Sequence, residues 1–281
     1  MIRRSVNRRK ILDRATMIIS FFSSLIGIFF LFWILGVVIQ KGLGAINWSF
    51  FTKLPAPPSI ENGGVASAIL GTFLMTFVAT VIGVPTGIFA GTYLAEYGKG
   101  TLTGSIMRFS INTMMGIPSI LIGLYIYTVM VLPFGHFSGY AGAVSLTIIM
   151  IPVVARTTED MLNLVPKTLR ESALALGTPQ WRVTTGVLYR YAKDGLITGT
   201  LLAIARISGE TAPLLFTALN SSYWPTKLHE PTSNLTVTIL NYAMSPYSNW
   251  QQIAWGASLL ITAAVLLLTV FARFIIKGSY K

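Results

Sequence analysis

FSINTMMGIPSILIGLYIYTVMVLPFGHFSGYAGAVSLTIIMIPVVA, Phe109–Ala155, runs for 47 residues without one Lys, Arg, Asp or Glu. A helix across the bilayer core uses about 20 apolar residues. The stretch is therefore too long for one crossing and long enough for two. Pro133-Phe-Gly-His-Phe-Ser-Gly139 interrupts it near its middle with turn-forming residues. It predicts two membrane helices, about 110–132 and 139–155, joined by a tight outer turn. Outward from there, Met17–Gln40 and Asn62–Ala95 are also free of charge and predict helices over 16–40 and about 66–92. A fifth helix, about 195–219, carries Arg206 and Glu210, and a sixth spans about 253–276. The expectation is an all-α polytopic membrane protein with six transmembrane helices.

Composition agrees. Of the 281 residues 53% are apolar and only 11% charged, against about 25% charged in ordinary globular domains. A soluble body and a disordered chain are both excluded. There is no cysteine, which removes disulfides, a thiol nucleophile and Cys-based metal or Fe–S sites. His136 and His229, the two histidines, leave little for a His-rich metal site. The net charge of +12 would suit nucleic acid, but its placement says otherwise. The 1–15 tail, the segments after the second and fourth helices and the C-terminal tail together hold 17 of the 21 Lys and Arg, and the other side holds Lys41, Lys53 and Lys227. By the positive-inside rule both termini are expected in the cytoplasm, in a cytoplasmic inner membrane, with no nucleic-acid partner. The basic start followed by 24 uncharged residues is longer than a signal-peptide core and lacks an A-x-A site, so the first helix is expected to be a retained anchor. In the second helix, Gly83-x-x-x-Gly87-x-x-x-Gly91 surrounds Pro85. Such small residues serve either a subunit contact or packing within the bundle.

The inner loop, 156–194, is long and punctuated. Thr168-Leu-Arg-Glu171 has the form of a capping box. Leu169, Ala173 and Leu176 fall near one face, Gly177 suits a helix C-terminus, and Thr178-Pro179 suits a new N-cap and first helical position. The reading is a helix of about two turns, a corner, and a second helix to about Tyr191. So short a helix needs something to pack against, either its own bundle and the lipid headgroups or another protein.

Glu171-Ser-Ala173-Leu-Ala-Leu-Gly177, followed after nine residues by Val187-Leu188, resembles the cytoplasmic loop of ABC importer permeases of type I. The glutamate, the third-position alanine and the glycine match; Ser172 replaces an alanine, and the usual Leu-Pro ending is absent at Tyr189 and Arg190. The resemblance implies that Glu171, Ala173 and Gly177 belong to a coupling helix seated in a groove of an ATP-binding subunit. A narrower likeness covers Leu202–Phe216, Arg156–Pro166 and Met244–Gln252. These resemble the A-type permease subunits of phosphate importers, over about residues 66–276. That family implies a second permease of the C type, two copies of the ATPase and an extracytoplasmic phosphate-binding protein.

Arg206 and Glu210 stand four apart on an otherwise apolar helix and can pair. An ionisable pair inside the membrane either neutralises itself or lines a polar path. Guanidinium suits phosphate oxygens as a fork. A carboxylate beside it can accept the proton that phosphate still carries near neutral pH and sulfate does not. Thr211 and Ser208 can add hydroxyls, and Gly209 and Pro213 can loosen the helix. The chain has no G-x-x-x-x-G-K-[ST], so it is expected not to be an enzyme, to need no cofactor, and to leave ATP hydrolysis to a partner. The expected function is one permease subunit of an ATP-driven phosphate importer. A permease for another oxyanion, a gradient-driven anion carrier and a non-transporting scaffold are the competing readings.

Overall fold

The computed structural model describes residues 2–60 and 63–278. Met1 and Lys281, on which the expected placement of the termini falls, and Asn62, where the second uncharged stretch begins, lie outside the described residues.

Helix α1 (Ile2–Gly42) leads through a 3₁₀ turn to the short α2 (Trp48–Thr52), capped by Asn47 Oδ1, which accepts from Phe50 N at 2.8 Å. Helix α3 (Ala66–Glu96) follows, then α4 (Leu102–Gly116). Helix α5 (Ser119–Ile126) continues through a π turn into α6 (Leu132–Phe134). Helix α7 covers Gly139–Asn163 and α8 covers Lys167–Ala175. Helix α9 (Gln180–Val183) runs through a second π turn into α10 (Tyr189–Ser208). Then come α11 (Ala212–Thr217), α12 (Leu235–Ala243) and α13 (Ser248–Gly278). No strand occurs among the described residues.

Among the described residues, four helices are long and apolar enough to cross a membrane, within Arg9–Ala45, Ala66–Glu96, Gly139–Asn163 and Ser248–Phe274; counting the bent pair Leu102–Gly116 and Ser119–Phe134 as one span makes five. The expected single helix over 110–132 is corrected. The chain turns by 101° between these two pieces because Pro118 has no N–H to donate and pushes Ile117 into extended backbone (φ −73°, ψ 128°). The fourth expected helix does not stop at Ala155. It continues to Asn163, where Arg156 and Asp160 pair at 3.1 Å one turn apart. The helix expected over 195–219 is already helical at Tyr189 and breaks after Ser208. Four charged side chains, Arg190, Lys193, Asp194 and Arg206, keep it from the apolarity of the other spans.

The core lies between α3 and α7, where Met75, Leu146, Met150, Val154 and Ile207 are buried. The Gly83, Gly87, Gly91 stripe lies against α7. A Cβ at Gly83 would crowd Met150, one at Gly87 would meet Val154, and one at Gly91 would strike the Ala155 carbonyl. Of the two uses the motif allows, the chain employs it for internal packing. At one end of the bundle the 43–60 segment, the Gly135–Ser138 turn and the 218–234 loop gather: Trp250 Nε1 donates to Ala56 O at 3.0 Å, and Gly139 N to Glu230 O at 3.1 Å. The 97–101 corner and the 164–183 segment occupy the opposite end. Helix α1 contributes little to the core: its apolar side chains from Met17 to Ile34 are exposed.

Candidate functional site

The first candidate is the break in the fifth expected helix. Gly209 caps α10, and Glu210 and Thr211 lie between α10 and α11. Pro213 at the start of α11 offers no N–H, so the ladder stops here. Glu210 O accepts from Thr236 Oγ1 at 2.8 Å, and Thr236 in turn is held by Asn234 Oδ1, which also caps α12 through Val237 N at 2.8 Å. This satisfies backbone that an apolar surrounding would otherwise penalise, the condition under which irregular backbone persists at membrane depth.

Arg206 Nε stands 3.9 Å from Glu210 Oε1, with the two side chains 51% and 15% exposed. That is beyond hydrogen-bonding distance, so the pair is loose. Thr211 is half-buried at the first position before α11, and its hydroxyl caps nothing. Arg206, Glu210 and Thr211 are thus neighbours at one break. Ser208 is not brought to them. Two residues on from Arg206, it points to the cleft between α3, α10 and α13 beside Ile204 and Thr76, and its hydroxyl donates to Ala205 O at 2.8 Å. On the face of Arg206 the neighbouring Leu202 is also exposed, so the chain by itself leaves this side of α10 uncovered.

The second candidate is the 164–183 segment. Pro166 caps α8, and no side chain caps its first turn. The expected capping box is corrected: the helix starts at Lys167, which places Thr168 inside the first turn instead of at the cap. The corner is as expected, with Gly177 at φ +75° and its N–H on Leu174 O at 2.9 Å. Pro179 is the cap of the next helix, which does not end near Tyr191 but runs on into α10. The segment packs on its own bundle through Leu162, Val165, Val183 and Leu188, with Ala173 against them. Glu171 and Gly177 face outward, beside Leu174, Leu176 (85% exposed) and Trp181. Exposed apolar side chains are thereby left near an acidic residue.

Long-range ion pairs were not legible beforehand. Arg108 Nε meets Glu159 Oε1 at 2.7 Å, and Arg170 Nη2 meets Glu96 Oε1 at 2.7 Å. Their only signal is that Glu96 and Glu159 stand where uncharged runs give way to charge.

Together these features define an all-helical integral membrane permease with a short exposed helix at one end of the bundle. The family model described as "Binding-protein-dependent transport system inner membrane component" matches residues 83–279, and the chain belongs to that family. Within it the chain is similar to phosphate transport system permease proteins PstA. It is 47% identical over 263 residues to that of Yersinia pestis, covering 94% of this chain and 89% of that protein. To that of Pasteurella multocida it is 49% identical over 274 residues, 97% of each. In fold it is similar to the MetNI methionine ABC transporter in inward-facing conformations, with TM-score 0.63 and 20% identity over 76% of this chain and 95% of that one.

Proposed function

We propose that this chain is a permease subunit of an ATP-driven importer of inorganic phosphate. The near full-length identity to PstA proteins carries the reading, and the geometry supports it. A guanidinium that is half-exposed and not hydrogen-bonded to its carboxylate keeps its donors available for an oxyanion. Glu210, 3.9 Å away, accepts the proton of a protonated phosphate and repels fully ionised sulfate. Thr211 adds a hydroxyl. The loose geometry also suits a path, which must release its ion as well as admit it.

In this reading the α10–α11 unit is a broken sixth crossing, and the termini and the 164–183 segment are cytoplasmic. Glu171, Ala173 and Gly177 seat α8 in an ATPase subunit, present in two copies. A second permease of the C type covers the open face of Arg206, and an extracytoplasmic phosphate-binding protein delivers the ion. The test is co-purification from membranes followed by uptake in sealed vesicles. Phosphate should accumulate only with ATP and the ATPase present, and excess sulfate should not compete. Uptake driven by an ion gradient without ATPase would refute the importer reading. Because the chain has no native cysteine, orientation is checked by single cysteines: Ser222→Cys should react with an impermeant thiol reagent in intact cells, and Asp13→Cys only after permeabilisation.

A further inference from the structure

The inner end of α3 collects ties from every part of the exposed segment. Glu96 Oε1 accepts from Arg170 Nη2 on α8 at 2.7 Å. Glu96 O accepts from Gln180 Nε2 on α9 at 3.1 Å. One turn earlier, the hydroxyls of Thr92 and Tyr189, the first residue of α10, are 2.7 Å apart. The same helix end is tied to the rest of the bundle: Arg108 on α4 donates to Leu94 O at 2.7 Å and to Glu159 on α7 at 2.7 Å. Two residues of sequence, 94 and 96, thus join α8 and α9 on one side to α4 and α7 on the other.

The Glu96–Arg170 pair is a poor device for adding stability. The Glu96 side chain is 3% exposed and that of Arg170 19%. At that burial the attraction is largely offset by desolvation. Arg170 Nε is buried with no partner, which is a further cost. Such a pair fixes one geometry. Beyond it, Gly83, Gly87 and Gly91 of α3 pack closely on α7, so the α3–α7 unit has little room to yield.

We infer that Glu96 and Arg170 are positioning residues that make the 167–183 segment and α3 move as one body. A push on the outward face of α8 is then delivered to α3 and α7, and through Arg108 to the bent α4–α5 arm. The inference rests on the reading of 167–183 as the ATPase-coupling segment.

The experiment uses the complete transporter in proteoliposomes, with labelled phosphate uptake and ATP hydrolysis measured in the same vesicles. Wild type is measured first: no ATP-driven phosphate uptake there would sink the functional reading, independently of the pair. With wild type active, Glu96→Gln and Arg170→Gln should lower phosphate moved per ATP by roughly two- to thirty-fold, the span for residues that couple two sites. ATP hydrolysis per assembled complex should hold, even where the one-sided loss of a buried pair lowers the amount that assembles. Arg170→Lys, which keeps the charge without the fork, should recover part of the ratio. A parallel fall in assembly, hydrolysis and uptake, with phosphate per ATP unchanged, would reduce the pair to a structural tie and overturn the inference. If the Glu96 and Arg170 variants fail to assemble, Gln180→Ala decides, since it removes one tie from an exposed side chain and strands no charge. A lowered ratio supports the inference and an unchanged ratio overturns it.

Discussion

Arg206 and Glu210 stand four residues apart across the end of α10, yet their nearest atoms are 3.9 Å apart and Arg206 is half-exposed. Glu96 and Arg170 come from segments 74 residues apart, meet at 2.7 Å and are nearly sealed from solvent. Adjacency in sequence produced the looser pair and tertiary packing the tighter one. The tight pairs, Glu96–Arg170 and Arg108–Glu159, lie at the end of the bundle that carries the exposed α8. The loose pair lies at a helix break and leaves the Arg206 donors unmet by its carboxylate. An ion pair that has already satisfied its donors is of no use to a passing anion, and one that has not is of little use as a strut.

The largest effect expected from this contrast is on a strut. Glu159→Ala leaves the Arg108 guanidinium partly buried with only backbone carbonyls for company. Breaking a buried pair on one side costs about 3–5 kcal/mol, comparable to a large share of a domain's stability. The subunit should nearly vanish from membranes by immunoblot, and Arg108→Leu with Glu159→Leu should bring much of it back. Normal abundance of Glu159→Ala would put this pair with the loose class.

Next comes the loose pair. Arg206→Gln should leave abundance and assembly unchanged and reduce phosphate uptake about a hundredfold, equivalent to about 2.7 kcal/mol of lost anion stabilisation. Adding Glu210→Gln separates the two roles. A self-neutralising pair would be cured by removing both charges, so wild-type uptake in the double variant, at equal membrane abundance, would turn Arg206 into another strut. Failure of the double variant keeps it in the path.

These contrasts also show what was readable in advance. Uncharged runs located the spans because burying charge in lipid is prohibitive wherever it occurs, and Gly177 announced its corner because φ +75° excludes most residues. The 101° bend at Pro118 was within reach of the proline rule, but an uncharged run from Phe109 to Leu132 reads as one helix when absence of charge alone is weighed. The capping box failed because Pro166 is the cap of α8 and the helix starts at Lys167, one residue before Thr168. The partners of Glu96 and Glu159 were out of reach altogether, since helical spacing says nothing of residues 51 or 74 positions away. Ser208 was grouped with Arg206 by proximity in sequence, but two residues along a helix is more than half a turn.

A smaller effect is expected at Gly177. A Cβ there would meet nothing within 4 Å, so a substitution costs backbone strain alone, about 1–2 kcal/mol for a β-branched residue in the left-handed region. Gly177→Val should cut ATP-driven uptake several-fold by mis-setting the corner beside α8, while Gly177→Asn, which tolerates that conformation, should stay near wild type. Equal activity of the two would detach the corner from coupling.

The smallest effect belongs to Asp160, and it tests whether geometry or mere charge decides. Arg156 and Asp160 have the same four-residue spacing as Arg206 and Glu210, and at 3.1 Å their contact is the closer one. Their side chains are 42% and 47% exposed, so solvent screens the attraction and either partner can be hydrated when the other is lost. Exposed pairs of this spacing contribute about 0.3–0.5 kcal/mol. Asp160→Asn should therefore shift thermal unfolding of the purified subunit by a degree or so at most and leave uptake within about twofold of wild type. Arg156 keeps Glu159 at 4.0 Å as a second carboxylate, which softens the loss further. If Asp160→Asn instead abolished uptake as Arg206→Gln is expected to, a helical Arg–carboxylate pair would matter wherever it stood. The helix break, the open face and the unmet donors of Arg206 would then have no special claim on the anion.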